Sequence, residues 1–243
     1  MDDQRLERFF RRLRVRDTLG QAEREALSAV AGQTVYFAPG EMMARYGSSP
    51  SKSLLLVQGM AARQNTVESG QQQITAFHIA GDFVDLHSFL LSKLDHDVRA
   101  MSAVAAVEFP HDGLRRITEE FPHLTRLLWL STLLDGAIHR QWLVAMGRLT
   151  AIAHMAHLFC EHFVRSDNVG LVEDMSFPFE ITQQELADAL GLSNVHVNRT
   201  LQELRRQDLV SWDTKRVRVI DWKRLQEVGQ FDPIFLDVVQ KPR

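Results

Sequence analysis

The sequence predicts an α+β fold in three consecutive parts: an N-terminal β-jelly roll, one long helix and a C-terminal winged helix-turn-helix. Short apolar segments separated by glycine and proline turns fill residues 34–109, which is typical of a small β-barrel or jelly roll. A helical pattern then runs over residues 123–147 without a break. Two short helices with capping residues and a glycine turn between them follow at residues 181–210.

The N-terminal part combines helices with strands. Residues 4–31 predict two helices with a break near residues 16–20, because two apolar stripes at helical spacing flank that break. The predicted strands are residues 35–37, 42–45, 54–58, 60–64, 74–79, 98–102 and 104–109. A short helix over residues 114–120 ends at Phe121 and Pro122, since a proline ends the helical pattern before it. We therefore expect a barrel domain with N-terminal helices over residues 1–122.

The long helix carries leucines at nearly regular intervals. Leu127, Leu130, Leu134, Ile138 and Val144 recur at a spacing close to that of a coiled-coil seam. A helix of about 24 residues spans roughly 36 Å, which is more than the barrel alone can cover. The sequence therefore predicts a dimerisation helix over residues 123–148, with Leu127, Leu130, Leu134 and Ile138 at the interface. The alternative is a helix in the core of its own domain.

Residues 149–243 form the third predicted domain, which begins with a helix over residues 149–165 and a loop through residues 175–179. Thr182 and Glu185 then have the spacing of a capping box, Gly191 ends the next helix, and Ser193 caps the one after it. Val197 and two leucines face inward, which leaves a polar outer face. Such a helix resembles the recognition helix of a helix-turn-helix, which enters the major groove. The alternative is an ordinary helical hairpin in a core.

The following segment predicts a wing. Residues 209–220 contain two short strands around a turn at Asp213 and Thr214, flanked by cations that suit DNA phosphates. The predicted DNA contacts are Thr182, Gln183, Ser193, Asn194, Val195, His196, Asn198, Arg199, Arg205, Lys215, Arg216 and Arg218.

Composition restricts the class of protein. The formal net charge is −3, so any affinity for DNA must come from a local basic patch. Cys160 is the one cysteine, which excludes an internal disulfide and an all-cysteine iron–sulfur site within one chain. The charged N-terminus lacks the apolar stretch of a signal peptide, and no segment of about 18 apolar residues predicts a membrane span. We therefore expect a cytoplasmic protein with no membrane partner.

Barrel, long helix and winged helix occur in the order of the Crp/Fnr family of bacterial transcription regulators, which this chain resembles from about Val35 to Ile220. The most specific segments are AGDFVDL at residues 80–86 and LGLSNVHVNR at residues 190–199. The resemblance implies a cyclic-nucleotide-binding-like barrel that senses a small effector, and a homodimer on a near-palindromic operator. It also implies RNA polymerase as a further partner.

The chain departs from the family at both functional regions. The family's base-reading positions fall on Asn194, Val195, Asn198 and Arg199, and many members carry a glutamate in place of Val195. Members that bind cyclic AMP hold its phosphate with an arginine, whereas residues 93–97 here include two aspartates and no arginine. Cyclic AMP is therefore disfavoured as the effector. We expect a regulator that either responds to another, unidentified effector or is controlled by its own abundance. The expected effector pocket comprises Phe83, Asp85, Leu86, Asp97, Arg99, His139 and Arg140.

Two sets of side chains have residue types that could bind a metal ion. His154, His157, Cys160 and Glu161 share one helical face, although such residues are more often ordinary half-buried side chains. His78, His87 and His96 lie in the barrel, where their spacing selects no ligand. We expect no cofactor and no bound metal. The alternative is a regulator that senses redox state or a gas through haem or a metal ion. A regulator that responds to a cyclic nucleotide is a further, less favoured alternative. No phosphate loop or nucleophile motif predicts an enzyme.

Overall fold

The structure is a computed structural model that describes residues 3–213 and 215–243. Thr214, which we expected in the turn of the wing, lies outside the described residues, as do Met1 and Asp2. The chain divides into two compact units. The first comprises Met1–Gln64, Phe77–Gly136 and Val238–Arg243, and the second comprises Asn65–Ala76 and Ala137–Asp237.

The first unit contains the N-terminal helices and most of the barrel strands. Its helices are α1 (Glu7–Arg14), α2 (Gln21–Val30) and α3 (His111–Glu120). The barrel strands are β1 (Thr34–Phe37), β2 (Met42–Ala44), β3 (Lys52–Gln58), β4 (Met60–Thr66), β5 (Gln72–Ile79), β6 (Asp97–Ala100) and β7 (Val104–Pro110). They form two sheets, in the orders β1-β7-β3 and β2-β6-β4-β5. The predicted α+β architecture with a jelly-roll-like barrel is confirmed.

Strand β3 connects the two parts of the core. Successive side chains of a strand point to opposite faces. Leu54 and Leu56 accordingly pack with Val98 and Val104 in the core of the barrel. Leu55 points the other way and joins a second cluster that includes the phenylalanines of α1. Because both faces of β3 are covered, its central residues form an unbroken apolar run rather than an alternating one.

In the long helix α4 (Pro122–Arg148), the face that we predicted for the dimer interface is covered by the helix's own chain. Leu127, Leu134 and Ile138 are 1%, 5% and 6% exposed in a single chain, and Leu130 is half-buried. Three of the four predicted interface residues therefore pack within their own chain, and that prediction is wrong for them. Both faces of the helix are apolar, and leucine spacing alone cannot indicate which face its own chain covers.

A second apolar stripe on α4 is open to solvent. Trp129, Leu133 and Leu143 are 65%, 52% and 69% exposed, and Val144 beside them is 54% exposed. With Gly136 and Arg140 between them, positions 129, 133, 136, 140 and 143 alternate at intervals of four and three, which is the repeat of a coiled-coil seam. We call this set of positions, together with Val144, the α4 stripe.

The second unit contains the predicted winged helix-turn-helix. Its elements are α5 (Ala151–Asn168), β8 (Ser176–Pro178), α6 (Gln183–Leu190), α7 (Asn194–Arg206), β9 (Val210–Trp212), β10 (Arg216–Val219) and α8 (Trp222–Gly229). The three strands form one sheet in the order β8-β10-β9. We expected residues 175–179 to be a loop, but Ser176–Pro178 pairs with β10. Three residues are too few for an alternating pattern, and proline is tolerated there because β8 is an edge strand.

The turn between α6 and α7 depends on the backbone of Gly191. Its φ is 64°, in the left-handed region, and an added Cβ would meet only the sulfur of Met146, at 3.9 Å. The need for glycine is therefore conformational rather than steric.

We predict that Gly191→Ala lowers the free energy of unfolding by about 1–2 kcal/mol, since a non-glycine residue pays that cost in the left-handed region. Gly191→Asn is the matched control and should cost less, because asparagine tolerates this conformation. Chemical denaturation of the three proteins measures the difference. Equal losses for alanine and asparagine would contradict a conformational origin.

Candidate nucleic-acid interface

The sequence signals at the start of α6 and α7 form the expected caps. The Glu185 backbone N–H donates to the Thr182 hydroxyl at 3.2 Å, and the Thr182 N–H donates to the Glu185 carboxylate at 2.7 Å. The Ser193 hydroxyl accepts from the His196 N–H at 3.3 Å. Each cap satisfies an N–H group that the helix itself leaves unpaired. The caps fix where α7 begins, and hence which side chains occupy its first turn.

Helix α7 has a packed back and an open front. Val197, Leu201 and Leu204 are at most 1% exposed, and they anchor the helix in the second unit. The front presents the exposed side chains Asn194, Val195, His196, Asn198 and Arg199. Among the described residues, Arg199 forms no hydrogen bond or ion pair, so its guanidinium is available to a ligand.

The two asparagines of α7 are held by the preceding helix. Asn194 donates its Nδ2 to Gln184 Oε1 at 2.7 Å, and Asn198 donates to Gln183 Oε1 at 3.2 Å. A bidentate contact with adenine needs both ends of an asparagine amide. Each Nδ2 has a second N–H beside the amide oxygen, so the glutamines orient these amides and still leave both ends able to contact an adenine. We had predicted a role for Gln183 but missed Gln184, because the sequence does not show which α6 side chains reach α7.

The cations of the wing differ in their surroundings. Val217 and Val219 are buried, so the alternating residues Arg216 and Arg218 share the opposite face of β10. Arg216 donates through Nη2 to the Ser176 carbonyl at 2.8 Å and to the Leu171 carbonyl at 3.3 Å.

Lys215 and Arg218 are exposed, and within residues 3–213 and 215–243 their side chains have no hydrogen-bond partner. Arg205, another expected phosphate ligand, donates through Nη2 to the Trp212 carbonyl at 2.6 Å. Arg205 and Arg216 are thus engaged in contacts within the second unit, whereas Lys215 and Arg218 have no such contact among the described residues.

Two residues of the expected effector pocket belong to the hydrophobic core of the first unit. Phe83 packs edge-on against the rings of Phe9 and Phe109, at centroid distances of 5.2 and 5.0 Å, and Leu86 joins the same core cluster. These two side chains therefore pack in the core cluster that also contains Phe9 and Phe10 of α1. Asp85 is buried and accepts from the Leu54 N–H at 2.7 Å, and burial raises its pKa to about 7.

The remaining four residues of that expected pocket lie on β6 and on α4. Asp97 accepts from the Tyr46 N–H at 2.7 Å, and Arg99 donates through Nε to the Gln64 side chain at 3.0 Å. His139 and Arg140 lie on α4 within the second unit, where His139 is half-buried and Arg140 is exposed.

A polar cluster occupies the barrel wall near β4 and β6. His87 and His96 place their Nε2 atoms 3.3 Å apart, and His96 Nδ1 lies 2.6 Å from the Asp95 carboxylate. Arg63 donates to Asp135 at 2.8 Å and lies close enough to affect both imidazoles. Burial, reinforced by Arg63, lowers the pKa of His96 and lowers that of His87 to about 4, so both rings are neutral at pH 7.

The suspected ligand face on α5 is occupied by internal contacts. Glu161 accepts from Trp142 Nε1 at 2.8 Å and from Arg165 Nη1 at 2.7 Å. His157 Nδ1 lies 3.1 Å from the Gly229 carbonyl, and its ring stacks on Phe235. Among the described residues, no group of three or more histidines, cysteines or acidic residues is placed to hold a metal ion.

Comparison with known proteins adds independent findings. Residues 34–121 match the family model of the cyclic nucleotide-binding domain, and residues 153–228 match that of the Crp-like helix-turn-helix domain. The transcriptional activator protein FnrL of Cereibacter sphaeroides is 29% identical over 201 residues, which cover 81% of this chain and 77% of that protein. The nitrogen fixation regulation protein FixK of Bradyrhizobium diazoefficiens is 24% identical over 198 residues, covering 82% of each.

Solved structures share the fold at low sequence identity. FixK2 from Bradyrhizobium japonicum superposes with a TM-score of 0.75 at 19% identity, covering 84% of this chain and 99% of that one. A CooA mutant from Carboxydothermus hydrogenoformans gives a TM-score of 0.64 at 12% identity, covering 81% and 87%. No helix among the described residues has the length and apolar character needed to cross a membrane.

We predict that Cys160 is unreactive in the folded protein. Its side chain is fully buried, and that burial raises the pKa of the thiol far above its ordinary value, which suppresses the nucleophilic thiolate. Iodoacetamide should therefore alkylate the thiol only after denaturation, as mass spectrometry can follow. Rapid alkylation under native conditions would contradict this account and revive a redox role.

Proposed function

Because this chain belongs to the Crp/Fnr family of transcription regulators, we propose that it binds a near-palindromic operator as a homodimer and receives its regulatory input through the N-terminal barrel. The family consists of regulators rather than enzymes, and the helix-turn-helix makes DNA the partner. The observation that carries the proposal is the capped helix α7, whose packed back leaves a polar front open to solvent.

Four residues of α7 are proposed to read bases. Arg199 has the free guanidinium and the position, about one turn into the helix, that suit a bidentate contact with guanine O6 and N7. Val195 is 81% exposed, and an apolar side chain at that point favours a thymine methyl over the cytosine that a glutamate would read. Asn194 and Asn198 are proposed to contact adenine while Gln184 and Gln183 orient their amides.

Phosphate contacts are proposed for the residues around this reading surface. Thr182, Gln183, Ser193 and His196 lie at the starts of α6 and α7, where backbone N–H groups and helix dipoles favour anions. Lys215 and Arg218 supply charge from the wing, whereas Arg205 and Arg216 are proposed to support it by holding the wing backbone.

The dimer is proposed to form through the α4 stripe, with a second copy of this chain as its partner. Trp129, Leu133 and Leu143 are exposed on one helix at coiled-coil spacing, and such a patch is rarely left open to water. Two copies related by a two-fold axis present two α7 helices, which matches a palindromic site.

The regulatory input is proposed to be something other than cyclic AMP. Asp95 and Asp97 place acidic groups where cyclic-AMP-binding members use an arginine, so a small effector of another kind, or control by abundance, is favoured. We propose RNA polymerase as the partner after operator binding and the cytoplasm as the location, since transcription takes place there.

We predict that Arg199→Ala relaxes preference at one base pair of each half-site, with a loss of about 1–3 kcal/mol of discrimination. Arg218→Ala should instead weaken binding to all sequences and reduce the salt dependence by about one unit, because one fewer phosphate is neutralised in each protomer. Selection from a random DNA pool and salt titration measure the two effects. Arg206→Ala is the matched control, because Arg206 pairs with Glu203 at 2.6 Å. If both test variants kept the same base preference, Arg199 would be only a phosphate ligand.

For the dimer, we predict that Leu133→Glu produces monomers and weakens operator binding by about 100-fold or more, because the two reading heads are no longer linked. Leu90→Glu is the control, since Leu90 is 82% exposed outside the α4 stripe. Leu134→Glu should unfold the chain instead, because Leu134 is buried within its own chain. Sedimentation velocity separates these cases, and an unchanged dimer in Leu133→Glu would rule out the α4 stripe.

A further inference from the structure

His87 and His96 form a pair that the proposed DNA-binding function does not use. His87 lies in a short 3-10 helix at Leu86–Phe89, and His96 immediately precedes β6. His96 is 4% exposed and His87 is half-buried. Two imidazoles held side by side and largely away from water lose hydration, so their arrangement needs a compensating interaction.

The distance between the two rings fits chelation of a metal ion. The Nε2 atoms are 3.3 Å apart while the ring centroids are 4.9 Å apart, so the Nε2 corners face each other. Two Zn–N bonds of about 2.0–2.1 Å at a tetrahedral angle place their nitrogens roughly 3.3 Å apart.

Asp95 sets the protonation of His96. A carboxylate only accepts hydrogen bonds, so His96 Nδ1 carries the proton in the contact at 2.6 Å. The Nε2 of the neutral ring then holds a lone pair directed towards His87. A carboxylate bound to the far nitrogen of a ligating histidine is the usual second layer of a metal site, where it orients the ring and raises its basicity.

The surrounding charge accommodates a cation. Arg63 is the one positive group that acts on both imidazoles among the described residues, and Asp135 neutralises it through the contact at 2.8 Å. Asp95 adds a further negative charge.

We propose that His87 and His96 bind one divalent transition-metal ion, of the Zn²⁺ or Co²⁺ class, through their Nε2 atoms. Imidazole suits these ions, and the pair supplies two ligands. Water or a small donor molecule would complete the coordination of the ion. The barrel would thereby gain a metal-dependent ligand site that is separate from the DNA-binding surface.

The test uses the full-length protein after removal of metal with a chelator, and it requires no DNA. Co²⁺ is titrated while visible absorption is recorded, because four-coordinate Co²⁺ has an intense d–d band, and Zn²⁺ is titrated by calorimetry. Wild-type protein should bind one ion per chain. His87→Gln and His96→Gln should each bind at least tenfold more weakly, and His196→Gln, which removes an exposed histidine elsewhere, should bind like wild type.

Asp95→Asn provides a variant that leaves the fold intact, because the Asp95 side chain is 81% exposed. It should weaken metal binding by about 10–100-fold, as loss of a supporting carboxylate does. Circular dichroism of the metal-free variants confirms folding. Absence of Co²⁺ binding by wild type, or unchanged affinity in the two histidine variants, would overturn the proposal and leave a hydrogen-bonded pair.

Discussion

The long helix α4 carries more apolar surface than a single chain covers, and much of the proposed architecture depends on this excess. Leu127, Leu134 and Ile138 are packed within their own chain, yet Trp129 and Leu143 remain largely exposed on the same helix. Covering that stripe with a second copy is the simplest way to remove it from water. The two-fold axis that results would dictate a symmetric DNA site, so helix packing and operator symmetry are consequences of one constraint.

Affinity for DNA must be generated locally, because the whole chain has a formal net charge of −3. We propose that a few exposed cations supply it. Arg205 donates to the Trp212 carbonyl of the wing, and Arg216 donates from the wing to the Ser176 carbonyl of β8, close in sequence to the exposed Lys215 and Arg218. Arg199 forms no hydrogen bond or ion pair among the described residues, and it lies on a helix whose start is fixed by its Ser193 cap. A few well-placed cations in a rigid frame favour specific over general electrostatic binding.

The sequence predicted correctly those features that depend on interactions between residues close together in the chain. Thr182, Gly191 and Ser193 act within one helical turn, so their caps and the turn followed directly from residue type. The strands of the barrel could also be predicted from the sequence, because apolar segments form them and turn residues mark their ends. Strand β8 escaped prediction since three residues carry too little pattern.

The wrong predictions concern tertiary contacts, because one local sequence pattern is compatible with more than one packing arrangement. Leucine spacing on α4 predicted a seam but not which of two apolar faces its own chain covers. Phe83 lies in a segment typical of the effector region, yet it packs against Phe9, which lies 74 residues earlier. His87 and His96 became a pair only through the fold, since nine residues separate them along the chain.

The most direct test of the account is selection of DNA from a random pool by the purified full-length protein. A dimer that places one α7 in each of two successive major grooves should enrich an inverted repeat, with half-site centres about 10–10.5 base pairs apart. Hydroxyl-radical footprinting of the enriched site should show protection on both halves. Enrichment of a single unpaired half-site, or of no sequence at all, would contradict the proposed two-fold arrangement.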